Sequence, residues 1–168
     1  YSEDPILTGT LMAYQARGLE ENGVIATYKH LIANNMEFER KSAHGIIDEN
    51  TLRDLYLRVF DKAFSLYKPG CVMTSYNPVN GIYPCENSAL LNDLLRGEWG
   101  FDGFVMTDWG SYDTADSIRS VCAGTNLLTP GSKKHFRMIL KAVKRNEISK
   151  AALQHSVKQI VKVLVRCI

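Results

Sequence analysis

No stretch of this 168-residue chain approaches the roughly 18 consecutive apolar residues of a membrane-spanning helix, so no membrane partner is expected. Cysteine is scarce and scattered. Cys71, Cys85, Cys122 and Cys167 share no C-x-x-C spacing, which argues against a metal site or a disulfide framework and leaves reduced, mostly buried thiols as the default. Net charge is only +2, too little to imply a nucleic-acid partner. Lys and Arg do crowd the tail after Ser132, where Glu147 is the sole acid. However, the aromatics are not interleaved with them as single-strand binding requires. Ile139, Leu140, Val143, Leu153, Val157, Ile160, Val161 and Leu164 recur there at helical spacing, so the tail reads as helices with these residues packed inward and the charges solvated. There is no internal repeat and no low-complexity segment. With 45% hydrophobic residues, the chain can bury a real core.

The stretch from Gly100 to Gly110 is the most informative. Phe104, Val105 and Met106 form an apolar run suited to a strand buried on both faces, and Asp108-Trp109 follow where that strand must leave the sheet. A carboxylate beside a large aromatic at such a position has two readings: a functional group, or a cap on the next helix. Three further apolar runs end in polar or turn residues. Residues 24–31 end in Lys29-His30-Leu31, residues 71–76 lead to Tyr76-Asn77, and residues 125–129 end before Pro130-Gly131. Helical patterns are predicted over 5–21, 49–67, 88–98, 113–122, 134–145 and 149–166, with caps from Asp4 or Ser2, Asn87 or Ser88, and Ser149. On the 49–67 helix, Leu52, Leu55, Tyr56, Val59, Phe60, Ala63 and Phe64 share one face. The long polar loop over 32–47 is of a length that more often serves function than mere connection. Strand, polar end, helix, repeated, is the pattern of a parallel α/β fold, and in a (β/α)8 barrel the chemistry sits at the C-terminal strand ends.

The motifs at those ends resemble the catalytic barrel of family 3 glycoside hydrolases, the β-glucosidase and β-xylosidase group. Tyr1-Ser2-Glu3-Asp4-Pro5 is similar to the family's YSEDP. Lys29-His30-Leu31 with Asn34, Asn35, Glu37 and Arg40 resembles KHFxxNNxExxR. Val72 to Asn77 with Asn80-Gly81 resembles VMxSYNxxNG. Leu94 through Trp109 resembles LRxEWGFxGFVxSDW. Gly124 to Gly131 is similar to GxDLxMPG, with Asn126 where an acid is common, which bears on substrate choice. The fold so implied is a partial TIM-type (β/α)8 barrel: about four parallel βα units, the last four, preceded by a helix. Residues 1–168 then form one partial domain, the C-terminal half of the barrel, without the other strands and the α/β sandwich domain of such enzymes.

The resemblance implies a retaining hydrolase of terminal non-reducing β-D-glycosyl residues, with Asp108 as nucleophile and no cofactor. Its substrate is a β-linked oligosaccharide or glycoside. Lys29, His30, Met73, Tyr76 and Trp109 are the expected sugar contacts, with Lys29 holding Asp108 ionised and Tyr76 donating to its carboxylate. Lys29 at the end of a buried strand is otherwise hard to explain, because a buried unpaired ammonium is expensive. Glu37 and Arg40 suit an ion pair that supports the loop, and Trp99 reads as packing. No residue fits the general acid, so the chain alone is expected to be inactive. Its open sheet edges call for the missing barrel half or a second copy. Two alternatives remain: a non-catalytic binding or assembly module, and a Schiff-base lyase of the TIM-barrel type using Lys29, which would require a desolvated amine not paired with Asp108.

Overall fold

The computed structural model describes residues 1–167, except for the side chain of Cys167; the expectation of a reduced Cys167 lies outside the described residues. Three parallel strands, β1 (Thr27–Leu31), β2 (Cys71–Thr74) and β3 (Phe104–Met106), lie in that order in one sheet. Cys71 aligns with Thr27 on one side and with Phe104 on the other, so the three C-terminal ends sit side by side. The β1–β2 register shifts between Tyr28 and Leu31, where the Lys29–His30 and Leu31–Ile32 peptide bonds are cis.

Helices cover the sheet. Helix α1 (Pro5–Glu20) begins where the Asp4 carboxylate accepts from the backbone N–H groups of Ile6 and Leu7, and Pro5 fills the first position. A continuous helical segment follows β1: α2 (Glu49–Thr51), a π-wound stretch Leu52–Leu57, and α3 (Arg58–Leu66). A second π-wound helix, Ala89–Glu98, precedes β3. Helix α4 (Ser117–Cys122) follows it, then α5 (Lys133–Lys144) and α6 (Lys150–Leu164).

Strand residues alternate between two packed clusters, as the two-residue period requires. Tyr28, Val72 and Val105 join the main core with Met12, Ala16, Phe60, Phe64, Leu91 and Leu95, between sheet and helices. Phe64 is its aromatic hub. It meets Tyr28 edge-on at 5.2 Å and stacks on Trp99 at 5.4 Å, so Trp99 is a packing residue. Cys71 and Phe104 face the other way, against Val163 of α6. Burial pushes the thiol of Cys71 up to about 12 and that of Cys85 up to about 11, which keeps both protonated. Cys122, by contrast, is exposed, so the expectation of buried thiols fails there.

Four further expectations need correction. Segment 125–129 is not a strand; it touches β3 through a single bridge, Met106 with Leu127. Asn126 explains this: its side-chain Oδ1 accepts from Val105 N at 2.7 Å, displacing the backbone partner a regular ladder would supply. The same oxygen accepts from Arg96 at 2.9 Å, and the amide nitrogen donates to Ser156 at 3.2 Å, so Asn126 cross-links β3 to α6. On the 49–66 helical segment, Leu57 is buried while Leu55 is 43% exposed, because the π winding rotates the face away from ordinary helical phase. Helix α4 starts at Ser117 rather than 113, where Asp116 caps it. In the tail, Leu140, Val157, Val161 and Leu164 are exposed, and Ala142, Ile148, Ser156 and Val163 are buried instead.

Candidate active site

The three parallel strand ends deliver the site. His30 from β1 and Asp108 from beyond β3 reach toward each other across the end of β2, and His30 Nε2 lies 3.2 Å from Asp108 Oδ2. Both side chains are largely shielded, 28% and 13% exposed. Burial pushes the His30 imidazole below its ordinary value of 6.5; the charge of Asp108 opposes that shift, and those of Lys29 and Arg40 add to it. A neutral imidazole therefore faces the carboxylate near pH 7. The other carboxylate oxygen, Oδ1, accepts from Trp109 N at 2.7 Å. The helix-cap reading of Asp108 fails, since Asp116 caps the next helix.

Tyr76 follows β2 and is 4% exposed. Its hydroxyl donates to the Trp109 carbonyl at 2.7 Å, and a phenol has one hydrogen to give. The expected donation to the Asp108 carboxylate is thus replaced by one to the neighbouring backbone. Burial first, and then the charge of nearby Asp108, push the phenol upward, so it stays protonated. Trp109 itself is 67% exposed, an apolar face open at the mouth. Met73 is half-buried within β2, in register with Met106.

Lys29 departs from expectation. It is exposed, and among the described residues it forms no ion pair with Asp108, whose near neighbour is His30. The burial argument for Lys29 therefore falls, and with it the desolvated amine that a Schiff-base lyase requires. What remains is its place beside His30, close enough for its charge to act on that ring.

The loop over 32–48 closes one side of the mouth. Ser75 holds its start, accepting from Ile32 N at 3.1 Å and donating to Ile32 O at 2.7 Å, and Asn77 donates to Ala33 O at 3.1 Å. Asn80 holds its far end, accepting from Ile47 N at 2.9 Å and donating to Ile47 O at 2.8 Å. Asn80 adopts φ 49° and Gly81 φ 86°, a turn that suits an Asn-Gly pair. In the sequence Ser-Tyr-Asn of 75–77, only Tyr76 faces the site, and its neighbours brace the loop. Asn35 likewise braces the loop, donating to the Tyr56 hydroxyl at 2.7 Å.

Two loop cations reach the site. Arg40 pairs with Glu37 at 2.9 Å, as its spacing suggests, and also lies 4.6 Å from the Tyr76 ring centroid. Lys41 Nζ donates to Gly110 O at 3.2 Å and to Asp113 at 2.8 Å, latching the loop to the segment after Asp108. Lys41 carries no signal in the sequence beyond its place in a loop flagged by length; its partners are about seventy residues away along the chain. Among the described residues, no group of three or more His, Cys, Asp or Glu side chains is placed to hold a metal ion.

Known proteins are similar to this chain in sequence and fold. The family model for the glycosyl hydrolase family 3 N-terminal domain matches residues 1–163. Probable beta-glucosidase J of Aspergillus fumigatus is 39% identical over 167 residues, which are 98% of this chain and 19% of the relative. Probable beta-glucosidase I of Aspergillus oryzae is 38% identical over the same length. Beta-glucosidase 3B of Thermotoga neapolitana, solved in complex with glucose, superposes with a TM-score of 0.93 at 39% identity, over 99% of this chain and 24% of that one. The beta-glucosidase of Kluyveromyces marxianus, also solved with glucose, gives a TM-score of 0.92 at 32% identity, over 99% of this chain and 20% of that one. This chain thus spans about a fifth of the length of the curated relatives it matches. Family model, curated relatives and solved structures agree: the chain belongs to glycosyl hydrolase family 3, within its N-terminal domain.

Proposed function

We propose that this chain is the nucleophile-bearing half of a β-glucosidase barrel, acting on terminal β-linked glucosides by a retaining mechanism. The supporting observation is the His30–Asp108 pair, 3.2 Å apart and formed at the C-terminal ends of parallel strands beside an exposed Trp109. Asp108 attacks the anomeric carbon while the bond to the leaving oxygen breaks, giving a covalent glycosyl-enzyme that water then hydrolyses. A carboxylic acid from outside this chain, about 5–5.5 Å from Asp108, protonates the leaving oxygen and later activates the water. His30 and Lys29 orient sugar hydroxyls. Trp109 and Met73 form the apolar wall under the ring. Tyr76 acts through the Trp109 carbonyl, keeping the Asp108 loop aimed. The relatives solved with glucose favour a glucoside as substrate.

The test uses the full-length protein. Proton NMR of early hydrolysis of an aryl β-glucoside is expected to show the β-anomer of glucose released first, and Asp108→Ala is expected to lower kcat on the order of 10⁴-fold. Release of the α-anomer, or a variant of near-normal kcat, would refute the mechanism.

A further inference from the structure

We infer that Thr129 is a positioning residue which, with Thr107, clamps the loop carrying Asp108 and Trp109; its catalytic consequence rests on the reading of Asp108 given above. Thr129 is half-buried at the end of segment 125–129, immediately before Pro130, and none of its hydrogen bonds goes to the Asp108 side chain. Its bonds fall on both sides of Asp108. Before it, Thr129 N donates to Thr107 Oγ1 at 2.9 Å, and the Thr129 hydroxyl donates to the Thr107 carbonyl. The two hydroxyl oxygens are 3.3 Å apart. After it, Gly110 N donates to Thr129 O at 2.9 Å. One residue thus ties the chain on either side of the Asp108-Trp109 turn.

The clamp compensates for a missing strand. Segment 125–129 meets β3 through one bridge only, so a regular ladder does not extend to the site. Thr107 N still donates to Leu127 O at 3.0 Å, but between that point and the Gly110–Thr129 backbone bond the two threonine hydroxyls carry the pairing. Thr107 is 1% exposed, so water does not readily replace a lost partner there. The Asp108 loop has two other restraints, Tyr76 on the Trp109 carbonyl and Lys41 on the Gly110 carbonyl, and both come from the opposite side of the mouth. Without the Thr129 hydroxyl only the two bonds made by the Thr129 backbone oppose those restraints, and the carboxylate is held less firmly. A displacement of about 1 Å at a reacting group is enough for a 10²-fold loss of rate.

The test compares Thr129→Val, which keeps the shape and removes the hydroxyl, with Thr129→Ser, which keeps the hydroxyl, in the full-length protein. With 4-nitrophenyl β-D-glucoside, Thr129→Val is expected to lower kcat about 10- to 100-fold while KM stays within about threefold. Thr129→Ser is expected to recover most of that loss. A second readout does not depend on Asp108 chemistry: hydrogen–deuterium exchange of the peptide that spans 107–110, read by mass spectrometry and expected to quicken in Thr129→Val and recover in Thr129→Ser. Normal kcat in Thr129→Val, equal damage in both variants, or unchanged exchange of that peptide overturns the clamp. If the wild-type nucleophile proves to be another carboxylate, the proposed mechanism fails, and the exchange still decides the clamp.

Discussion

His30 occupies an unusual electrostatic position, facing a carboxylate while burial and two nearby cations keep its proton off. Its pKa is lowered in the folded state, so the unfolded chain takes up the proton first as pH falls. Stability linked to His30 is therefore fully present above the ordinary value of 6.5 and is lost as pH drops from there through the lower folded pKa. The His30 Cε1 proton, followed by NMR, is expected to titrate with a midpoint below 6.5. A midpoint above that value would mean that the attraction of Asp108 outweighs burial. Residues whose roles depend on near neighbours were the legible ones. Asp4 and Ser149 cap helices as their spacing predicts, and Glu37 pairs with Arg40. Lys29 and Lys41 were not legible, because exposure and partners remote in sequence are set by tertiary packing, on which local spacing is silent.

Among the elements, the contact between α1 and α3 depends on a glycine. A Cβ at Gly9 would lie 2.5 Å from the Val59 carbonyl oxygen and 2.8 Å from Lys62 Cβ, and the backbone of α3 cannot step aside. Gly18, on the same helix, has nothing within 4 Å of that position. Gly9→Ala is expected to destabilise the protein by roughly 1–3 kcal/mol through overpacking. Gly18→Ala is expected to stabilise it by about 0.4–1 kcal/mol through the unfolded state. Denaturant midpoints of the two variants check the pair, and equal shifts would contradict this packing of α1 on α3. Element order and type were largely readable, because strand and helix periods differ and turn residues separate them. Two features were hidden. The π winding of 52–57 and 89–98 leaves the apolar spacing nearly unchanged while rotating the face. The loss of the fourth strand follows from where one amide, Asn126, finds its partners.

At the scale of the whole molecule, the sheet is open. Among the described residues no strand pairs with the outer edge of β1, and segment 125–129 is bound on one side by β3. Ile6, Leu7 and Leu11 of α1 and Val157, Val161 and Leu164 of α6 are exposed apolar residues. Open edges and apolar faces recruit partners. The chain expressed alone is expected to self-associate or to bind the remaining barrel half supplied in trans, as read by sedimentation velocity; a stable, monodisperse monomer that ignores the added half would contradict this. The parallel order of the sheet and the gathering of Asp108, His30 and Tyr76 at one end followed from motifs at successive strand ends. The number of βα units did not, because three strands rather than four are built from these residues. Asp108 is the residue on which the proposed chemistry turns. Incubation of the full-length protein with 2,4-dinitrophenyl 2-deoxy-2-fluoro-β-D-glucoside, whose leaving group departs without an acid, followed by peptide mass spectrometry, is expected to place the fluoroglucosyl label on Asp108 and to give no label in Asp108→Ala. A label on any other carboxylate would contradict it.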